Sequence, residues 1–220
     1  MDPKAFDQLM TERHSVRFFQ KTKQVPENVL KEIMATSLKC PSWCNSQSWS
    51  AYVASGKTLE EIREIWIQKN KEGIKGYADI DPEHRTKSSQ RSQNCMNQLF
   101  KDVAEFLKDP NMKDFAECQH FLFNAPTIVY LTLNKKYIQY SVLDLGGFAM
   151  AIQLAAKSHG VDSIIAFETI KYPDVVKKYC KIPEDENLVI GIALGYEDDN
   201  NFNKFRAKKL ELDEACHFFN

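Results

Sequence analysis

Two arginines and a serine alternate along the run Arg13-His14-Ser15-Val16-Arg17-Phe18-Phe19. Arginine carries a permanent charge and a planar fork of donors, so this trio suits a phosphate. In an extended backbone, residues two apart point the same way, which would bring all three to one ligand. The same segment would also serve as a solvated polar connection. A second run, Cys40-Pro41-Ser42-Trp43-Cys44-Asn45-Ser46-Gln47-Ser48-Trp49, mixes hydroxyls, amides and two indoles. Hydroxyls and amides give directed hydrogen bonds to the edge of a heterocycle, and tryptophan gives a stacking face. Turn capping and core packing use the same residue types. A third region runs from Asp144-Leu145-Gly146-Gly147 to Gly160-Val161-Asp162-Ser163-Ile164-Ile165-Ala166-Phe167-Glu168. Its adjacent glycines sit inside a helical pattern, where each costs about 1 kcal/mol relative to alanine. Close approach of a ligand or of another helix would account for them. The last is the basic run Lys204-Phe205-Arg206-Ala207-Lys208-Lys209, a solvated face unless the chain returns to Arg13 and Arg17.

The elements that must position these residues are legible in the periodicity. Phe6, Leu9 and Met10 predict a short helix over Pro3–Thr11, and Val29, Leu30, Ile33, Met34 and Ser37 form one face of a helix opened by Pro26. Ser48–Ala54 reads as a strand. Thr58 and Glu61 form a capping box ahead of Leu59, Ile62 and Ile65. Residues 71–92 are polar and read as a mobile connection; helical spacing resumes from Met96 to Leu107, and another short helix is expected over Asp114–Phe123. The β-branched and aromatic run Thr127–Leu133 predicts a buried strand. A long helix is expected from Ile138 to His159, ending at Gly160, then a strand Ser163–Phe167, a helix opened by Pro173 and a strand Leu188–Leu194. The pattern predicts an α+β fold, one layer of sheet covered by helices.

Composition narrows the functions. The chain has 220 residues, with 29 lysines and arginines against 30 aspartates and glutamates and a formal net charge of -1. Its length predicts about one domain, or two small ones at most, and the chain is read as a single domain over 1–220. No global field draws it to nucleic acid or lipid headgroups, and neither partner is expected. No stretch reads as a signal peptide or a membrane span. Six cysteines without a C-x-x-C pair fit free thiols in a reducing cytoplasm and no metal centre. Neither G-x-G-x-x-G nor a P-loop occurs, which disfavours a Rossmann site and a nucleoside-triphosphate site.

Taken in order, these segments resemble the nitroreductase family of FMN-dependent oxidoreductases. The R-x-S-x-R-x-F pattern stands as Arg13 to Phe19, and the A-P-S-x-x-N-x-Q-P-W pattern as Cys40 to Trp49. The D-x-G helix ending G-x-x-S is matched by Asp144, Gly146, Gly160 and Ser163; the G-x-x-x-G-Y strand by Gly191 to Tyr196; and the N-x-F-R tail by Asn203 to Arg206. Ser48 replaces the usual Pro, Asp162 a usual Gly, and Lys209 a common Arg. The resemblance implies a mixed, mostly antiparallel sheet flanked by helices, a homodimer, and a C-terminal extension wrapping the partner subunit. It implies that Arg13, His14, Ser15, Arg17, Arg206 and Lys209 bind FMN at its phosphate and ribityl end. Pro41, Ser42, Trp43 and Asn45 would approach the flavin from the other subunit. Ile165, Ala166, Phe167 and Glu168 would lie along the ring, and a variable helical cover at about residues 70–120 would set substrate choice. The implied activity moves two electrons from NADH or NADPH to a nitroaromatic, quinone or similar small-molecule acceptor by a ping-pong mechanism, with the hard chemistry left to the cofactor. Dehalogenation, flavin fragmentation, dehydrogenation of a small metabolite, or flavin binding without turnover would use the same fold.

Overall fold

Four strands form one sheet: β1 (Trp49–Ser55), β2 (Thr127–Asn134), β3 (Asp162–Ala166) and β4 (Glu186–Gly195), in the order β1-β2-β4-β3. This is seen in a computed structural model that describes residues 2–219. Every strand pair is antiparallel, and the parallel contact expected of a mixed sheet survives only as an isolated bridge between Ser15 and Ser163.

β2 is buried along all but its last residue, and its alternation splits the interior in two. Ile128 and Tyr130 face one core, with Leu59, Ile62 and Trp66 of α3 (Gly56–Lys71) and Val175 and Val176 of the helix Pro173–Cys180. Val129, Leu131 and Leu133 face the other, with Leu30 and Ile33 of α2 (Glu27–Ser37) and Leu145, Phe148 and Ile152 of the helix Gln139–Ser158. Side chains two apart share a face of a strand, so one hydrophobic run can serve both layers. Trp49 stacks on Phe148 with ring centroids 4.7 Å apart.

The first helix, α1 (Pro3–Glu12), lies as expected, as does α2; the helix α4 (Gln90–Leu107) starts six residues before the expected Met96, inside the stretch 71–92 read as a connection. The Thr58–Glu61 capping box does not form. Gly56 takes φ +53°, so the chain turns from β1 straight into α3, with Ser55 at the N-cap and Thr58 already inside the helix. The expected helix over Asp114–Phe123 is α5 (Lys113–His120), cut short by a turn in which Leu122, Phe123 and Asn124 all have positive φ. Arg63, 2% exposed, holds that turn by donating to the carbonyls of Phe121 (3.0 Å) and Ala125 and to Glu60. After α6 (Gln139–Ser158), the strand predicted to include Phe167 stops at Ala166, and Phe167–Ile170 curl into a 3-10 turn. That turn packs against β4 because Gly191 leaves room: a Cβ there would lie 2.1 Å from the Thr169 hydroxyl. Then follow α7 (Pro173–Cys180) and, in the tail, α8 (Leu212–Ala215).

Two sequence expectations change. Gly146 and Gly147 do not mediate tight packing within the chain. A Cβ on Gly146 would meet nothing, and one on Gly147 would make only ordinary contact with the Cys40 sulfur. Residues 72–84 are irregular but tied down: Tyr172 Oη donates to the Ile74 carbonyl (2.9 Å), and Asp79 accepts from Leu188 N (2.7 Å) and Lys177 Nζ (2.6 Å). In the tail, Phe202 and Phe205 are buried against Val103 of α4 within their own chain, while Leu212, Phe218 and Phe219 stay exposed. Only the second group is available to a partner.

Candidate functional site

Beyond α1 the chain runs extended beside β3, pinned by Val16 N donating to the Ser163 carbonyl at 3.1 Å. His14, Val16 and Phe19 turn inward, and Arg13, Ser15 and Arg17 stand half-buried on the outward side of the segment. The three outward residues line one cavity of about 510 Å³, and Arg206 and Lys209 close it from the tail. None of these four cationic groups has a carboxylate within 4.0 Å among the described residues. The Arg13 Nε is buried and has no hydrogen-bond partner among the described residues. Burial lowers the Arg17 pKa, countered in part by the nearby Cys118 sulfur. Its guanidinium donates to the Ser15 carbonyl (3.1 Å) and lies 4.8 Å above the Phe202 ring. Concentrated positive charge with unspent donors is the electrostatic signature of an anion site.

His14 also lines this cavity, but both of its ring nitrogens are engaged: Nδ1 with the Glu12 carbonyl (2.8 Å) and Nε2 with the Glu197 carboxylate (3.0 Å). It braces the segment. Asp162 does not disturb the neighbouring geometry, because its carboxylate accepts from Lys157 Nζ (3.1 Å) and Glu197 N (3.1 Å).

Sequence spacing missed the residue that joins the two halves of this cavity. Asn203 is 3% exposed, and its Oδ1 accepts from the backbone N–H of Arg17 (2.9 Å) and Phe18 (3.2 Å). Its Nδ2 donates to the carbonyls of Phe18 (2.8 Å) and Asp198 (3.2 Å). Asn203 stands first in the N-x-F-R tail pattern, which was the available signal.

Ile165, Ala166, Phe167 and Glu168 line an adjoining cavity of about 230 Å³. Arg17 lines both, so the two form one trough. Phe115, Cys118 and Phe123 complete its wall. The thiol of Cys118, in apolar surroundings, is pushed up to about 12 by burial. Nothing but helical spacing marked Phe115 and Cys118 in the sequence.

Pro41, Ser42, Trp43 and Asn45 are not brought to this trough within one chain. Asp144 ties their loop to α6, accepting from Trp43 N at 3.0 Å on each oxygen and from Ser46 Oγ at 3.4 Å. Gln47 N donates to Ser42 Oγ (2.9 Å), and Cys44, Asn45 and Gln47 all have positive φ. Trp43 stacks on Tyr140 at 5.4 Å and lines a separate cavity with Ser46 and Ser48.

The model of the Nitroreductase family matches residues 10–196. The chain belongs to the nitroreductase family. That match spans the Arg13–Arg17 segment, the Asp144 loop and the whole sheet, and stops short of the tail bearing Arg206 and Lys209. The chain is 24% identical to a 4-nitrobenzoate reductase of Pseudomonas putida over 97% of its length and 95% of the relative's. It is 25% identical to a chloronitrobenzene nitroreductase of Comamonas testosteroni over 96% of each. In fold it matches the FMN-dependent nitroreductase NfnB of Mycobacterium smegmatis, solved in complex with NADPH, with a TM-score of 0.89, 22% identity and 99% of each chain covered. Among the described residues, no helix is long and apolar enough to cross a membrane and no His/Cys/Asp/Glu group could hold a metal ion.

Proposed function

We propose that this chain is an FMN-dependent oxidoreductase that moves two electrons from NADPH or NADH to a nitroaromatic, quinone or similar small acceptor. The observation that carries this reading is the buried Arg13 Nε, unpartnered among the described residues, in a cavity that gathers four cationic groups and, among those residues, no opposing carboxylate. The residues present fit FMN. Arg13, Arg17, Arg206 and Lys209 would hold the phosphate, Ser15 would reach the ribityl chain, and Arg17 would mark the junction with the ring. The wall Ile165–Glu168 would lie along the ring and keep water from one side, and His14 would hold Arg13 and Ser15 in place through Glu12 and Glu197.

When bound, FMN supplies the two-electron chemistry, accepting from reduced nicotinamide and giving to the acceptor in separate encounters, as in a ping-pong cycle. The chain's own share is to bind, orient and shield.

The working unit is a cytoplasmic homodimer. Trp43, Tyr140, Val142 and Leu143 leave an apolar face uncovered around Gly146 and Gly147, and a second copy covering it would carry Pro41, Ser42, Trp43 and Asn45 toward its partner's flavin. The six free thiols suit a reducing compartment. Replacing Arg13 and Arg17 together with alanine tests the reading. The wild type should purify yellow, absorbing near 450 nm as flavins do, and the double variant should be colourless yet folded. A double variant that stays yellow overturns it.

A further inference from the structure

Both ring nitrogens of His14 face acceptors. Nδ1 lies 2.8 Å from the Glu12 carbonyl oxygen, and Nε2 lies 3.0 Å from Glu197 Oε2. A carbonyl oxygen has no proton to give, and neither has an ionised carboxylate. A neutral imidazole carries a single N–H, so it would satisfy one contact and press a lone pair against the other. A ring with a proton on each nitrogen makes both bonds. The His14 side chain is 8% exposed, so bulk water is not at hand to replace either partner.

The charges around the ring are arranged to keep Glu197 for it. Glu197 follows β4, and its backbone is fixed on both sides: its N–H donates to Asp162 Oδ2 (3.1 Å), and its carbonyl accepts from Gln20 Nε2 (2.8 Å). Asp162, standing where the family pattern has Gly, is neutralised by Lys157 Nζ at 3.1 Å. Among the described residues no Lys or Arg lies within 4.0 Å of the Glu197 carboxylate to compete with His14. Arg13, Arg17, Arg206 and Lys209 line the same cavity as His14, whereas Glu197 does not line it. Those four like charges oppose a second proton on the ring, and a phosphate in the cavity would favour it.

We propose that His14 is an imidazolium in the FMN-loaded protein, held so by Glu197, and that it gives the cavity a fifth positive charge by which a phosphorylated flavin is preferred to an unphosphorylated one. The proposal rests on the FMN reading above. Glu197 is the positioning residue: it reaches a ligand in the cavity only through His14 and through its own field. As pH rises and the ring gives up a proton, the cavity loses that charge and the Glu197 carboxylate is left unpaired. Both changes weaken the hold on a phosphate and leave riboflavin, which has none, unaffected.

Two measurements test this. Nitrogen NMR of the FMN-loaded wild type near neutral pH should show both ring nitrogens of His14 as N–H groups. Affinities of cofactor-free protein for FMN and for riboflavin, titrated by flavin fluorescence, should be compared from about pH 7 to about pH 9, where a phosphate monoester with its second ionisation at about pH 6 stays a dianion. The Cys118 thiol beside the ring wall, pushed up to about 12, stays neutral throughout. The ratio of the two affinities should fall about tenfold in the wild type, the scale of one unit charge several ångströms from the phosphate. Glu197→Gln near neutral pH should bind FMN about fivefold more weakly and riboflavin as before, with a ratio that no longer depends on pH. Charge alone predicts the reverse, since removing a carboxylate near an anion site tightens anion binding. A neutral His14 ring in the loaded protein or a wild-type ratio that holds across the pH range overturns the proposal and leaves the FMN reading standing. So does FMN binding in Glu197→Gln that is unchanged, tighter, or weakened equally for both flavins. A wild type that takes up no FMN overturns the FMN reading and this one together.

Discussion

Asn203→Ala probes how the tail and the Arg13–Arg17 segment are joined. The substitution deletes four hydrogen bonds, two received from Arg17 N and Phe18 N and two given to the carbonyls of Phe18 and Asp198. At a net worth of about 1 kcal/mol each they sum to about 4 kcal/mol; hydration of half-buried Phe18 returns part of this, leaving about 3 kcal/mol. For a chain of this size each kcal/mol moves Tm by about 2–4 °C, so Tm should fall by about 6–12 °C. The measurement is a thermal melt of FMN-free protein at fixed concentration, because bound cofactor and subunit association both raise Tm. FMN affinity, read by fluorescence titration, should fall about tenfold or more as the Arg17 backbone loses its anchor. Asn203→Asp sharpens the test. It keeps both acceptor contacts but turns an oxygen toward the carbonyls of Phe18 and Asp198, so it should not rescue either quantity. A variant as stable as wild type, or one that loses stability while binding FMN at full strength, refutes the coupling.

Three further outcomes are expected. Arg13→Ala with Arg17→Ala should abolish FMN retention while the far-ultraviolet circular dichroism stays that of the wild type. Asp144→Ala leaves the Trp43 N–H without its acceptor, which should destabilise the 41–48 loop by about 1–3 kcal/mol, visible as faster amide exchange at Trp43. Cys118 gives the chain an alkaline liability. Burial pushes its thiol from 9.0 up to about 12, so above about pH 9 the unfolded chain binds fewer protons than the folded one and stability falls as pH rises. Urea melts from about pH 8 to about pH 10 should show a shallower decline for Cys118→Ala than for wild type, whatever its stability at the lower end.

The sequence made most elements legible because their signals are local. Pro26 and Pro173 mark helix starts, Gly160 follows a helix end, and the β-branched run over Thr127–Leu133 admits little but a strand. The Arg13, Ser15 and Arg17 side chains fall on one side for the same reason, since an extended backbone fixes their common direction. Long-range consequences were not legible. Thr58 and Glu61 satisfy the capping pattern, yet the positive φ at Gly56 starts the helix earlier. Gly146 and Gly147 suggest tight packing that the chain itself does not supply. Residues 71–92 read as a mobile connection because the partners of Ile74 and Asp79, which are Tyr172, Lys177 and Leu188, lie about 100 residues further along. Asn203 shows the same gap, bonding residues 185 and 186 positions away. Spacing reports which side chains share a face but not which distant backbone groups they complete.

The Arg63 anchorage bears on how freely this part of the protein can diverge. Two of its three partners are main-chain carbonyls, those of Phe121 and Ala125, and every amino acid brings a carbonyl. An exchange at Phe121 leaves the guanidinium its acceptors, so that position is open to drift while the path of the chain is inherited intact; Leu122, Phe123 and Asn124 are held more narrowly by their positive φ. Exchange of Arg63 itself has no such latitude, because lysine cannot span the same pair of oxygens with a fixed fork.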